Sequence, residues 1–177
     1  YGMRAAGVVT DKRGSNILDG GAHFYDTYET ADGKYISIAS IESKFYQQLL
    51  DLTGFEDPGH KAHKDKTMWP AYSEKMTAMI KTKTRDQWCE LLEETDICFA
   101  PVLSMAEAPN HPHIAARQTF VTENGVTQPA PAPRFSRTQS QIQKPPSPHG
   151  GDTKAVLSDW GYSAEQISNW KNDGVIN

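Results

Sequence analysis

The chain has only two cysteines in 177 residues, Cys89 and Cys98. That is too few for a disulfide scaffold and fits a reducing compartment, so a cytoplasmic location is expected. Both are read as buried structural thiols, Cys89 within a helical pattern and Cys98 within an apolar strand-like run. No apolar run approaches the roughly 18 residues that a membrane-spanning helix needs. The opening "YGMRAAGVV" has no basic start followed by a long apolar stretch, so no secretory leader is visible. Positive charge is short as well: 18 Lys and Arg stand against 22 Asp and Glu, for a net charge of −4. A nucleic-acid partner needs a basic face or stripe, and none is present. The cluster "KAHKDK" at 61–66 is broken by Asp65 and reads as a solvated loop.

Several chemical signatures are also lacking. There is no G-x-G-x-x-G after a strand, no P-loop and no G-x-S-x-G. His60 and His63 lie three apart in a polar loop, and His111 and His113 flank Pro112. Metal binding needs three or four converging ligands, and no Cys or carboxylate cluster completes either pair. Neither a metal nor a cofactor is expected. The Gly20–Gly21 pair after Asp19 reads as a tight turn, although two glycines could also let backbone approach a ligand.

What is present is patterned. A hydrophobic share of 37% is enough for one domain with a real core, or for a small core plus appendages. Residues 1–19 read as a helix tail or linker. "GGAHFYDTYETADGKYISIASI" reads as a β-hairpin turning at Asp32–Gly33, with Ile36 and Ile38 on one face. Residues 43–53 read as a helix carrying Phe45, Tyr46, Leu49 and Leu50 and stopped by Gly54. "EDPGHKAHKDK" at 56–66 reads as a loop. Helices follow over 70–82 and 84–94, with stripes Tyr72/Met76/Met79/Ile80 and Trp88/Leu91/Leu92. Thr84 is the expected N-cap of the second, with Asp86 in its first turn. "ICFAPVL" at 97–103 is a short strand that Pro101 assigns to an edge or bend. Ser104 with Glu107 suggests a capping box, and Asn124–Gly125 a second hairpin.

Six of the eleven prolines fall between 129 and 148, so this stretch reads as an extended linker. "DTKAVLSDWGYSAEQISNWKNDGVI" then reads as two short helices capped by Asp152 and Ser163. Val156, Leu157, Trp160, Ile167 and Trp170 call for a partner surface. The expected organisation is therefore a linker or helix tail at 1–19 and a small α+β domain at 20–125. A Pro-rich linker at 126–151 and terminal helices at 152–177 follow.

One acid stands out. Glu42 ends the apolar run "YISIASI" and opens the helix "SKFYQQLL". Ser40 could cap that helix, and an acid in a first turn is favoured by the helix dipole. Glu42 also lies near the aromatic residues Phe24, Tyr25 and Tyr28, where a carboxylate can orient a histidine and raise its basicity.

Longer phrases then carry a resemblance. "RGSNILDGGAHFYDTYETADGKYISIASIESKFY" (13–46), "DICFAPVL" (96–103), "HPHIAARQTF" (111–120), "PAPRFSRT" (131–138) and the terminal helix pair resemble the α-methylacyl-CoA racemases of the family III CoA-transferase (CaiB/BaiF) superfamily. The resemblance covers nearly the whole chain and matches the C-terminal half of the family's length; the first residue is Tyr, not Met. It implies the small α+β domain of that fold, with β-hairpins packed on helices, an extended linker and a C-terminal helix pair that docks on a large domain outside these residues. It implies an interlocked homodimer that epimerises 2-methyl-branched acyl-CoA thioesters, with acyl-CoA as substrate rather than cofactor. The proton-transferring His and Asp would lie outside the chain, leaving it inert alone. By the same resemblance Glu42 would pair with that His, and Leu18, Tyr25 and Ile41 would line the acyl pocket. Met3 fits a Met-rich acyl surface, whereas Val8 and Ile17 depart from it. Two rivals stand beside this reading. One is a family III CoA-transferase, disfavoured because no Gly-rich loop is present. The other is a non-catalytic interaction domain.

Overall fold

The computed structural model describes residues 1–176. Its first strands, β1 (Tyr25–Glu29) and β2 (Tyr35–Ala39), pair antiparallel, with Tyr28 opposite Ile36 and Asp26 opposite Ile38. The turn forms where Asp32–Gly33 requires it, and Gly33 takes a φ of +73°. The Asp32 carboxylate accepts from the Thr30 hydroxyl at 2.5 Å and from the Arg85 backbone N–H at 3.1 Å. The hairpin tip is thereby tied to residues more than fifty positions away. A third strand, β3 (Phe99–Val102), joins β2 to give the sheet order β1-β2-β3. Pro101 lies on this edge strand opposite Ile36, where its missing N–H costs no ladder bond.

Helices supply the rest of the core. After α1 (Gly2–Ala5) come α2 (Ser43–Thr53), α3 (Lys61–Lys64), α4 (Trp69–Ile80) and α5 (Arg85–Leu92). Alternation puts Ile36 and Ile38 on the buried face of β2. Helical spacing puts Tyr46 and Leu49 of α2, Tyr72, Met76 and Ile80 of α4, and Trp88 and Leu92 of α5 into the same cluster. The Trp88 indole N–H donates to the Ile80 carbonyl at 2.8 Å, which pins α5 to the end of α4. Gly54 closes α2 in the left-handed conformation at φ +72°. Thr84 caps α5 as expected, in a capping box with Gln87.

The chain divides into two compact units, Tyr1–Met105 and the residues from Ala106 onward. The second unit contains α6 (Pro112–Ala116), a hairpin of β4 (Phe120–Glu123) with β5 (Val126–Pro129), and the helices α7 (Thr153–Asp159) and α8 (Ala164–Asn172). The Asn124–Gly125 turn has positive φ at both residues, the conformation a two-residue hairpin needs. The sequence-based boundary at 125/126 falls inside this hairpin, whose ladder holds 120–129 together. Residues 130–152 carry no helix or strand.

Four local expectations are corrected. The stretch 56–66 is not all loop: a 3-10 turn at Pro58–His60 runs into α3, because Asp57 accepts from the backbone N–H groups of Ala62 and His63. Ser40 does not cap α2; its hydroxyl is buried and donates to the Ile97 carbonyl at 2.6 Å. Ser104 opens no helix, and 105–107 form a turn before a 3-10 segment at Ala108–Asn110. Cys98 is exposed rather than buried, at a backbone φ of +57° that turns it out of the strand.

Candidate functional site

Three of the four residues singled out in the sequence, Tyr25, Ile41 and Glu42, lie at one end of the sheet. Tyr25 begins β1 and faces Ala39, the last residue of β2, so both lie at the end opposite the Asp32–Gly33 turn. Ile41 and Glu42 follow two and three residues later. Leu18 sits in a 3-10 turn, Ile17–Asp19, that packs beside β1. Leu18 is 64% exposed and Ile41 36%, Tyr25 is half-buried, and Glu42 is exposed.

Asn16 holds the Leu18 turn in place, and nothing in the local sequence pattern marks it. It is buried, exchanges hydrogen bonds with Thr10 on both sides of its amide, and forms a capping box with Asp19. Burial opposes ionisation of Asp19, but its bonds from Asn16 and neighbouring backbone hold the carboxyl below the usual range. The Gly20–Gly21 pair is a plain turn. A Cβ on Gly21 would lie 2.7 Å from the Asn16 carbonyl oxygen, so the backbone that approaches it is the chain's own.

Glu42 occupies the N-cap position of α2 with extended backbone, φ −72° and ψ 136°, and its carboxylate makes no capping hydrogen bond. The role that a helix-start acid would ordinarily fill is left unused. Its charge is felt locally: burial first, then the Glu42 and Asp96 carboxylates, raise the Cys98 thiol above its ordinary range. The junction that carries Glu42 is held tightly. The Ser40 N–H donates to Phe24 at 2.9 Å, the Ser40 hydroxyl to Ile97, and the Tyr46 N–H to the Glu42 carbonyl at 2.9 Å.

Behind this junction lies a buried polar network. The Tyr46 hydroxyl donates to Asp57 Oδ2 at 3.0 Å and lies 2.8 Å from His23 Nε2. Because the phenol proton goes to Asp57, His23 must donate through Nε2, which leaves Nδ1 as the bare nitrogen. His23 and Tyr46 are wholly buried and Asp57 is 3% exposed. Burial drives the His23 pKa down to about 4, against the pull of the Asp57 charge. Burial also disfavours the Asp57 carboxylate, yet the Ala62 and His63 N–H groups outweigh it and hold Asp57 below the usual range. The His63 ring stacks on Tyr46 at 4.3 Å and 20°, and burial lowers its pKa although the Ile41 and Ser40 carbonyls beside it pull upward. Among the described residues no group of three His, Cys, Asp or Glu side chains is placed to hold a metal ion, and no helix is long and apolar enough to cross a membrane.

The three-stranded sheet and the helices packed on it form a mixed α/β unit. The sequence profile of CoA-transferase family III matches residues 3–153, and the chain belongs to that family. It is 37% identical to the α-methylacyl-CoA racemase of Mus musculus over 172 residues, 96% of this chain and 45% of the relative. It is 34% identical to the α-methylacyl-CoA racemase of Homo sapiens over 166 residues, 93% of this chain and 44% of the relative. The chain thus spans less than half the length of these relatives. A crystal structure of a CaiB/BaiF family protein from Brucella suis shares the fold, with a TM-score of 0.58 and 21% identity over 76% of this chain and 37% of that one.

Proposed function

We propose that the chain belongs to a longer enzyme that epimerises 2-methyl-branched acyl-CoA thioesters, with Glu42 orienting a catalytic histidine outside these residues. A base removes the α-proton, and the C–H electron pair passes into the thioester enolate. An acid then delivers a proton to the opposite face, so no electrons or groups are lost or gained. Leu18, Tyr25 and Ile41 line the acyl side of that site. The observation that carries the reading is the unused carboxylate of Glu42, exposed at a hydrogen-bonded strand-to-helix junction. A carboxylate so placed is free to accept from an imidazole, fix its tautomer and raise its basicity. Similarity to two racemases over nearly the whole chain supports the substrate class. The reading carries with it a homodimer active in lipid metabolism and, with Cys89 and Cys98 both unbridged, a reducing cytoplasmic setting.

The test is deuterium wash-in by the full-length protein that contains this chain. A 2-methylacyl-CoA in D2O should gain one mass unit at the α-carbon with no acceptor acid present. Glu42→Gln should slow that exchange by at least about tenfold while ester binding stays nearly unchanged. CoA transfer that requires an added carboxylic acid, without exchange, would move the protein to the transferase branch. Equal losses of exchange and binding would remove Glu42 from its orienting role.

A further inference from the structure

Tyr46 sits one turn after Glu42 in α2, and its ring is wholly buried. A phenylalanine would satisfy the same aromatic surroundings, so packing alone does not account for the hydroxyl. That hydroxyl is instead the centre of a network that reaches three separate segments. It meets His23 just before β1 and Asp57 in the loop after α2. Asp57 in turn takes the N–H groups of Ala62 and His63 at 3.0 and 3.1 Å and so seats the His63 ring flat against Tyr46. The same His63 ring lies beside the Ser40 and Ile41 carbonyls, the two residues that precede Glu42. The His23 backbone is fixed as well, since the Tyr28 hydroxyl donates to its carbonyl at 2.7 Å.

Residues 40–46 are therefore gripped from both sides. Ile97 and Phe24 hold Ser40 from the sheet side. Asp57 and His23 hold the Tyr46 hydroxyl from the helix side, and the His63 ring stacks on its face. A buried, fully engaged polar group fixes rotation and axial position where an apolar contact permits sliding. In a helix, a displacement at Tyr46 is transmitted across the Tyr46 N–H to Glu42 carbonyl bond.

We infer that Tyr46, held by His23 and Asp57, is a positioning residue that sets where the Glu42 carboxylate stands. The inference rests on the orienting role proposed for Glu42. Misplacement of a reacting group by about 1 Å costs up to roughly a hundredfold in rate. The loss should therefore fall on proton exchange and not on ester binding.

The experiment is a double-mutant cycle in the full-length protein, read by deuterium wash-in and by binding of the acyl-CoA. Tyr46→Phe should slow exchange by about ten- to a hundredfold with KM nearly unchanged. Once Glu42→Gln is present, adding Tyr46→Phe should cause little further loss, because the carboxylate it positions is already gone. Losses that multiply would overturn the inference and make Tyr46 a stabilising residue only. So would a Tyr46→Phe variant with full exchange. If Glu42→Gln alone leaves exchange intact, the role of Glu42 fails first and separately. Should Tyr46→Phe not fold, Asp57→Asn takes its place in the same cycle, with the same two outcomes deciding.

Discussion

The two units of the chain solve the problem of apolar surface in opposite ways. The first buries Ile36, Ile38, Tyr46, Leu49, Met76, Ile80, Trp88 and Leu92 in one cluster. The second, among the described residues, buries Ile167 alone. Val156, Trp160, Tyr162 and Val175 stay exposed there, Trp160 at 75%. Each unit has one α-helix that starts with a capping box, α5 in the first and α8 in the second, whereas Asp152, expected to cap α7, makes no capping bond. The difference is that the first has a sheet face on which its helical stripes can close, whereas α7 and α8 have chiefly each other, with Tyr162 and Trp170 in edge-to-face contact at 4.9 Å. Helix signals in a sequence thus report local order, and only a complementary face converts that order into a core.

The largest effect that separates the units is expected at Trp88. Trp88→Ala removes a side chain that is 1% exposed, together with the bond to Ile80. It should cost about 3–5 kcal/mol in chemical denaturation of the chain. A cost below about 1 kcal/mol would mean that the first unit is not the stability core it looks like.

The next effect is electrostatic and also confined to the first unit. His23 is neutral in the fold, with its pKa near 4 against an ordinary 6.5. Tyr46, Asp57, His63 and Tyr72 surround it. Above pH 6.5 neither folded nor unfolded chain protonates it, and its full contribution is present. As pH falls from 6.5 toward 4 the unfolded chain takes up a proton that the fold refuses, so stability drops by about 3 kcal/mol. Asp57, whose pKa is lowered, works in the same direction at still lower pH. Thermal midpoints measured between pH 7 and 4 should show this slope. His23→Gln should lower the midpoint at pH 7 and flatten the slope; an unchanged slope would assign the acid sensitivity elsewhere.

Much of the first unit was legible because its signals are local. Asp32–Gly33 specifies a turn through positive φ at Gly33, Gly54 ends α2, and Thr84 with Gln87 starts α5. The stripes on α2, α4 and α5 follow from helical spacing alone. The His23–Tyr46–Asp57 network was not legible. His23 and Tyr46 are 23 positions apart, and Asp57 lies in a stretch whose Pro-Gly pair reads as loop. Buried polar groups such as these pair with partners remote in sequence, and no periodicity encodes them. Asn16 and Ser40 escaped for the same reason. Glu42 was visible as a position but not as a cap, because the sequence offers Ser40 as an equal candidate and only the Ser40–Ile97 bond removes it.

The smallest effect gives the sharpest comparison, because the same motif occurs once in each unit. Thr84 and Gln87 form a capping box at α5, and Ser163 and Gln166 form one at α8. The side-chain distances match closely: the Gln oxygen accepts from the cap N–H at 2.9 Å in both, and the hydroxyls accept at 3.3 and 3.2 Å. Thr84→Ala and Ser163→Ala should each cost about 1 kcal/mol of local helix stability. The context decides how that loss appears. Helix α5 closes the core through Trp88 and Leu92, so losing its cap should lower the global midpoint of the first unit. Helix α8 buries only Ile167, so losing its cap should speed amide exchange over 164–167 and leave the global midpoint within about 0.3 kcal/mol. Equal global losses from the two substitutions would show that α8 is as firmly coupled to a core as α5, and the contrast between the units would fail.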